Sequence, residues 1–455
     1  MKKKYLIGLT SVLFTQVLSS CYVLKKDDTP TTPSTPSVNT DVEEKKTEEE
    51  VKHYTITWKH YDGSVLAKTS ISEGKLPIYP KQNPRRAETE TAKYEFAGWE
   101  PEIAVAKSDA TYTAKFNEIK KEVVMGDGFI ARDGSVKYSF AELVENGNQY
   151  INIDETDDEI VINKVKLDPF SKYGKLIIPE TYKEKNITEL DMIAISPSNG
   201  SEFVEELYLP STLKKIGLQS VSQTNITSLT LPASLQNCGP RAFYKSSKLK
   251  TVKILCQNCN FFIEDEQDDG MNHTFYECGA LEEVHFPLTM NTIYPMFYNC
   301  KALKNVYLPE VVKNIQSEAF FSSSSLSNID FPEGLENIEE LAFYGCGLTS
   351  VTLPKSLKYC SNAFDDCTKL KYAIIKAGTE KLKISNSAFS GCPIEAIYYE
   401  GTESDFKDKV EIEKGNEAPY ISSSKESESI KIYYYSETKK DNCWHYGDNN
   451  VPEKW

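Results

Sequence analysis

The stretch LKNVYLPEVVKNIQSEAFFSSSS (Leu303–Ser325) is followed by LSNIDFPEGLENIEELAFYGCG (Leu326–Gly347) and LTSVTLPKSLKYCSNAFDDCTK (Leu348–Lys369), and the three lines share one frame. Each opens on Leu, sets a β-branched residue, an apolar residue and a proline at fixed places, and closes on further apolar positions before Ala-Phe. Pro287, Pro309, Pro332 and Pro354 stand 22, 23 and 22 residues apart. Self-similarity at a fixed period of this length marks a solenoid with one coil per repeat. A single coil has too few apolar side chains to offset the ordering of its backbone, so the missing burial must come from stacking on its neighbours.

Looser copies of the frame flank the clear ones. Coils open at Val204 (ELYLPSTLKKIGLQSV), Ile226 (SLTLPASLQNCGPRAF), Leu249, Leu281, Leu370 and Ile394. The coil from Leu249 runs 32 residues to Leu281 and carries an acidic insertion, IEDEQDDG. The coil from Leu370 lacks the proline and has Ala377-Gly378-Thr379 instead. The frame L-x-x-[VI]-x-[LF]-P-x-x-[LV]-x-x-[IC]-x-x-x-A-F-x-x-C resembles the BspA-like leucine-rich repeats of bacterial surface proteins. The resemblance implies a surface-exposed adhesion or host-interaction protein. The fold expected is mainly β: a leucine-rich-repeat solenoid with a parallel sheet over 204–400, preceded by a small β-grasp-like module.

Strand side chains alternate between faces, so the residue between the two inward positions of each coil must point out. Those residues are Tyr208, Thr230, Lys253, His285, Tyr307, Asp330, Thr352, Ile374 and Tyr398. Two positions earlier stand Glu206, Ser228, Thr251, Glu283, Asn305, Asn328, Ser350, Tyr372 and Ala396. Aromatic anchors among short polar groups are the composition of protein-binding surfaces. This predicts a binding face for an extracellular or host protein, with the neighbours His285 and Tyr307, beside the acidic insertion, as its first candidates; ordinary solvated strand residues are the other reading of the same row. An envelope or biofilm component acting by bulk adhesion is the rival reading.

The chain opens on Lys2-Lys3-Lys4 and an apolar stretch too short to span a bilayer, then Leu18-Ser19-Ser20-Cys21. This reads as a lipoprotein signal peptide over 1–21 with Cys21 as the lipidated residue, which predicts a lipid-anchored protein of the cell surface, in the outer membrane. Residues 22–52, with Thr-Pro-Thr-Thr-Pro-Ser-Thr-Pro and DVEEKKTEEE, lack apolar periodicity and read as a disordered tether. Over 53–117, YTITWKHYDGSVLAKTSI alternates as a hairpin turning at Asp62-Gly63, and KYEFAGWEP with ATYTAKF makes a second pair. The ordered marks TITW, YDG, FAGW and YTAKF resemble the Listeria–Bacteroides repeat, with Trp58, Phe96, Trp99 and Tyr112 as the expected core. Residues 118–203 read as an N-terminal cap with one degenerate repeat, and 401–455 as a C-terminal cap and tail, because solenoids need atypical coils to cover their ends.

The net charge of −15 argues against nucleic acid, which needs clustered Lys and Arg. Twenty-seven tyrosines exceed what a core requires, so many are expected at the surface. Of 11 cysteines, Cys278, Cys300, Cys346, Cys367 and Cys392 recur three residues after the frame's Phe or its equivalent, and Cys238 and Cys360 replace a core Ile, so they are expected as small buried hydrophobes. Cys256 and Cys259 are off-frame and fit a local disulfide or, less well, half a zinc site. The five histidines fall in no catalytic motif, and Cys443-Trp444-His445 lacks an oriented third group. The sequence asks for no cofactor, metal or catalytic residue, and a monomer is expected.

Overall fold

The computed structural model describes residues 52–86, 92–120, 126–145, 150–166, 172–197, 203–261, 273–413 and 430–455. The signal segment with Cys21, the tether up to Val51 and the acidic insertion lie outside these residues.

Most coils of the array lay one strand of three to five residues and a shorter one into separate parallel sheets. In the first, Ser228–Leu231, Thr251–Ile254, Glu283–His285 and Asn305–Tyr307 follow one another in register. After a coil whose Asn328–Asp330 segment is not a strand, Ser350–Leu353, Tyr372–Ile375, Ala396–Tyr399 and Ile432–Tyr435 continue the same order. The second sheet stacks short pairs such as Asn314–Ile315, Asn337–Ile338 and Tyr359–Cys360.

The frame residues explain the turns. Proline has no N–H to give the ladder, and its carbonyl accepts from the N–H three residues on: Val312 to Pro309, Leu335 to Pro332, Leu357 to Pro354. Phe-x-x-Cys-x-x-Leu closes two such turns in succession, Cys346 N–H to Phe343 O in one coil, Leu370 N–H to Cys367 O in the next. The residue two past each Phe takes the left-handed conformation, φ 57° at Glu277, 60° at Asn299 and 57° at Asp366. Gly345 and Gly391 fill that place without strain.

Between the sheets one continuous core runs from Phe129 to Ile430. Its spine is a ladder of parallel rings: Phe243, Phe275, Phe297, Phe320, Phe343, Phe364 and Phe389, with centroids 5.1–5.6 Å apart. All seven are fully buried. A second ladder runs beside it at the surface through Tyr244, Tyr276, Tyr298, Phe321 and Tyr344. These rings are half-buried, and only Tyr61 and Tyr173 are exposed among the described tyrosines. The surplus tyrosines pack on one another rather than stand free in water.

Cys278, Cys300, Cys346, Cys367 and Cys392 are buried and free, as are Cys238 and Cys360. The five that follow the Phe do more than fill space. Each thiol lies 3.0–3.3 Å from the carbonyl of the Phe one coil earlier and donates to it. Where the frame has serine, Ser323 Oγ makes the same bond to Phe297 O at 3.4 Å, and Ser246 Oγ bonds Val221 O at 3.3 Å. The position requires a small group that donates. Cys256 and Cys259 are likewise free and buried, their thiols in hydrogen-bonding contact that lowers Cys256 and raises Cys259.

The N-terminal module is a four-stranded sheet in the order Val65–Ser72, His53–Lys59, Ala110–Lys120, Ala92–Glu100, with the central pair parallel. Ile56, Trp58, Ile71, Ala106 and Tyr112 form its core, and Trp99 and Tyr79 pack against it. Phe96, expected in that core, stands at its margin against Trp99 and Phe116. A bulge between Phe96 and Gly98, with Gly98 at φ 109°, shifts the strand's register there.

At the array's start, Gly174–Ile177 pairs parallel with Val204–Tyr208, and Lys185–Leu190 with Lys215–Ile216, so the coil geometry is established before the clear repeats. At its end Cys443–Tyr446 continues the first sheet and the antiparallel strand Pro452–Lys454 closes it.

Candidate interaction face

The outward residues named from the alternation stand beside one another in the ladder: Thr230 opposite Lys253, Lys253 opposite His285, His285 opposite Tyr307. Thr352, Ile374 and Tyr398 are likewise in one row. The face runs in successive ladders, interrupted at Asn328–Asp330, and its three parts have different surroundings.

At the N-terminal end, Glu206, Ser228 and Thr230 are exposed, while Tyr208, Thr251 and Lys253 are half-buried. Tyr208 donates its hydroxyl to Glu206 at 2.8 Å. This part is accessible.

The middle is covered by the module. The segment between its two hairpins, LPIYPKQNPRR (Leu76–Arg86), crosses the sheet. Arg85 lies with its guanidinium carbon 3.8 Å from the centroid of the Tyr307 ring. It also pairs with Glu283 and lies 3.1 Å from His285 Nε2. Gln82 N–H donates to Asp330 Oδ2 at 2.9 Å, and its side-chain amide to the Asn328 carbonyl at 3.2 Å. The hydrogen bond from His285, reinforced by the Arg85 charge, holds the Glu283 carboxyl below its usual range, whereas burial pushes Asp330 up. Tyr79, wedged between Trp58 and Trp99, ties the strap to the module's core.

The C-terminal part is covered by the cap. Ile374, Ala396, Tyr398 and Trp444 make a small core of their own, with Tyr372, Tyr433, Tyr435 and Tyr446 against it. Trp444 Nε1–H donates to Tyr399 O at 2.8 Å. Tyr372 and Tyr398, both named as binding residues, are therefore packed with these rings, because the terminal strands bring a second aromatic layer over the sheet. Thr352 is half-buried.

Tyr79, Gln82 and Arg85 escaped the sequence reading. Their signal was a run with prolines at 77, 80 and 84 and two arginines, lying between two hairpins and assigned to neither.

Other sites weigh little. A cleft of about 430 Å³ lies between His53 and Ser72 of the module and Tyr435, His445 and Trp455 of the cap. Ser72 Oγ donates to Asp448 Oδ1 at 2.9 Å and lies 3.2 Å from His53 Nε2. The hydroxyl sits between imidazole and carboxylate, an order that gives no relayed general base. His445 stacks on Trp455 at 3.8 Å. Among the described residues no group of His, Cys, Asp and Glu could hold a metal ion, and no helix is long and apolar enough to cross a membrane.

Two coil sheets, a phenylalanine spine and a proline turn recurring at the frame position define a leucine-rich-repeat protein. Residues 198–295 and 294–410 match the BspA type leucine rich repeat region, in six copies, so the array is a repeat region of that family. Among solved structures, a leucine-rich repeat protein from Bacteroides ovatus is 21% identical over 63% of this chain and 77% of its own, with a TM-score of 0.43. A leucine rich repeat protein of T. pallidum is 17% identical over 55% of this chain and 90% of its own, at 0.28. A leucine rich cell surface protein from Faecalibacterium prausnitzii is 15% identical over 60% and 98%, at 0.27. No curated protein matches this chain.

Proposed function

We propose that this chain is a lipid-anchored cell-surface binding protein that presents the outward face of its longer-stranded sheet to an extracellular or host protein. The observation that carries the reading is the row of outward side chains at the accessible end, Glu206, Tyr208, Ser228, Thr230, Thr251 and Lys253, held in adjacent coils on a rigid scaffold. Anchoring is read from Leu18-Ser19-Ser20-Cys21 behind a basic and apolar leader, and the tether over 22–52 would hold the array away from the membrane.

The test is a pull-down of extracellular-matrix and partner-cell proteins by the full chain and by Ser228→Arg with Thr230→Arg. Both positions are exposed, so folding should be unchanged while the captured protein is lost. Identical capture by chain and variant would move the site off this face. Cys21→Ser should release the protein from the membrane fraction or leave it unprocessed; unchanged partitioning and processing would end the anchoring claim.

A further inference from the structure

The strap lies on the sheet as a ligand would. A planar guanidinium rests on an aromatic ring with a carboxylate and an imidazole at its edge, an arrangement that suits arginine and not lysine. Three residues earlier, Gln82 offers a backbone N–H to Asp330 and a side-chain amide to a carbonyl of the coil whose strand is missing. Pro77, Pro80 and Pro84 favour an extended segment at low entropic cost. The contacts are few, polar and partly open: the Arg85 and Glu283 side chains keep 28% and 31% of their exposure.

We propose that Glu283, His285, Tyr307 and Asp330 form a recognition site for an extended, arginine-bearing peptide of a partner protein, and that Pro77–Arg86 is its built-in competitor. This rests on reading the sheet face as the ligand-binding surface. A strap tethered in the same chain competes at an effective concentration of about millimolar, so a partner displaces it only by making further contacts. The neighbouring coil supplies them: Thr251 and Lys253 pair directly with Glu283 and His285, and Ser228 and Thr230 follow. A peptide that seats its arginine on Tyr307 and runs on over these coils gains surface that the strap never touches.

The experiment uses the full chain and a fluorescein-labelled peptide of Leu76–Arg86, followed by fluorescence anisotropy. Arg85→Ala vacates Tyr307, Glu283 and His285, so the peptide should bind this variant about three- to fivefold more tightly than the unaltered chain. Adding Tyr307→Ala, or Glu283→Gln where the first variant does not fold, should abolish that gain. A peptide carrying Arg85→Lys should bind at least about tenfold more weakly. The proposal falls if no saturable binding to the Arg85→Ala chain is seen, if affinity is equal with and without Arg85, or if it survives both site substitutions. Sedimentation showing dimers that dissociate on Arg85→Ala would assign the occupant to a second copy and overturn the partner. Failure here leaves the Thr230 experiment untouched, so the two readings fall separately.

Discussion

The interior of the array and the seam between module and array use aromatic rings in opposite ways. Inside, Phe243 to Phe389 repeat one contact, ring on ring, each fully buried. At the seam, Tyr307 meets a single guanidinium from the module, and Asp330 a single backbone N–H from the same strap. The interior is a sum of equal neighbour terms, so one defect weakens the whole stack. The seam is a one-off polar latch, and its loss should be local.

The largest expected contrast is in alkali. Burial pushes Cys278 and Cys360 up to about 12 and raises Cys238, Cys300 and Cys346 as well, while the hydrogen bond with Cys392, with burial behind it, raises Cys367. An unfolded thiol ionises near about 8.5, so above that pH the folded array holds more protons than the unfolded chain. Stability therefore falls as pH rises from about 8.5 toward 12, by up to about 1.4 kcal/mol per thiol per pH unit. The module over 53–117 contains no cysteine. Denaturant midpoints followed at pH 8, 9 and 10 should drop for the array first; a flat profile would break the comparison.

Next in size is the spine. Phe343→Ala should cost about 3–5 kcal/mol, because Phe320 and Phe364 stack on it at 5.3 and 5.5 Å. The exposed control Lys355→Ala should stay within about 0.5 kcal/mol of the parent. Equal thermal shifts for the two would mean that burial does not set the stability of the array. Smaller still, Cys346→Val removes the thiol's bond to the Phe320 carbonyl, which keeps the Ser323 N–H, and should cost about 0.5–1.5 kcal/mol. Cys346→Ser should cost less, since Ser323 already makes that bond one coil earlier. A serine variant no better than valine would show that volume alone matters there.

The smallest effect on global unfolding belongs to Arg85→Ala, about 0–1 kcal/mol for a partly exposed pair. Its signature is local: faster hydrogen exchange at Gln82 and readier proteolysis between Leu76 and Arg86. A fall in the array's own unfolding temperature as large as that of Phe343→Ala would erase the distinction between interior and seam.

The array was legible because its core is periodic. The alternation that turned Val306 and Leu308 inward also placed Tyr307 in its row beside His285, as the ladder shows. The cysteines were legible as buried but not as donors, although serine at two equivalent positions, Ser246 and Ser323, was the available signal. Phe96 was misplaced because a bulge at Gly98 breaks the strand's count, and a lone glycine does not announce one.

Sequence by itself determined the repeat, its turns, its spine and which side chains leave the core, since each follows from neighbours within a coil or one coil away. Only the tertiary structure decided what lies on top of those side chains. Arg85 meets Glu283 across 198 residues, and Ser72 meets Asp448 across 376. Such contacts occur once, between segments with no shared period, so no pattern in the chain could encode them for a reader. That is why Tyr307 and Tyr398, equivalent in the frame, lie under a guanidinium in one case and beside Trp444 in the other.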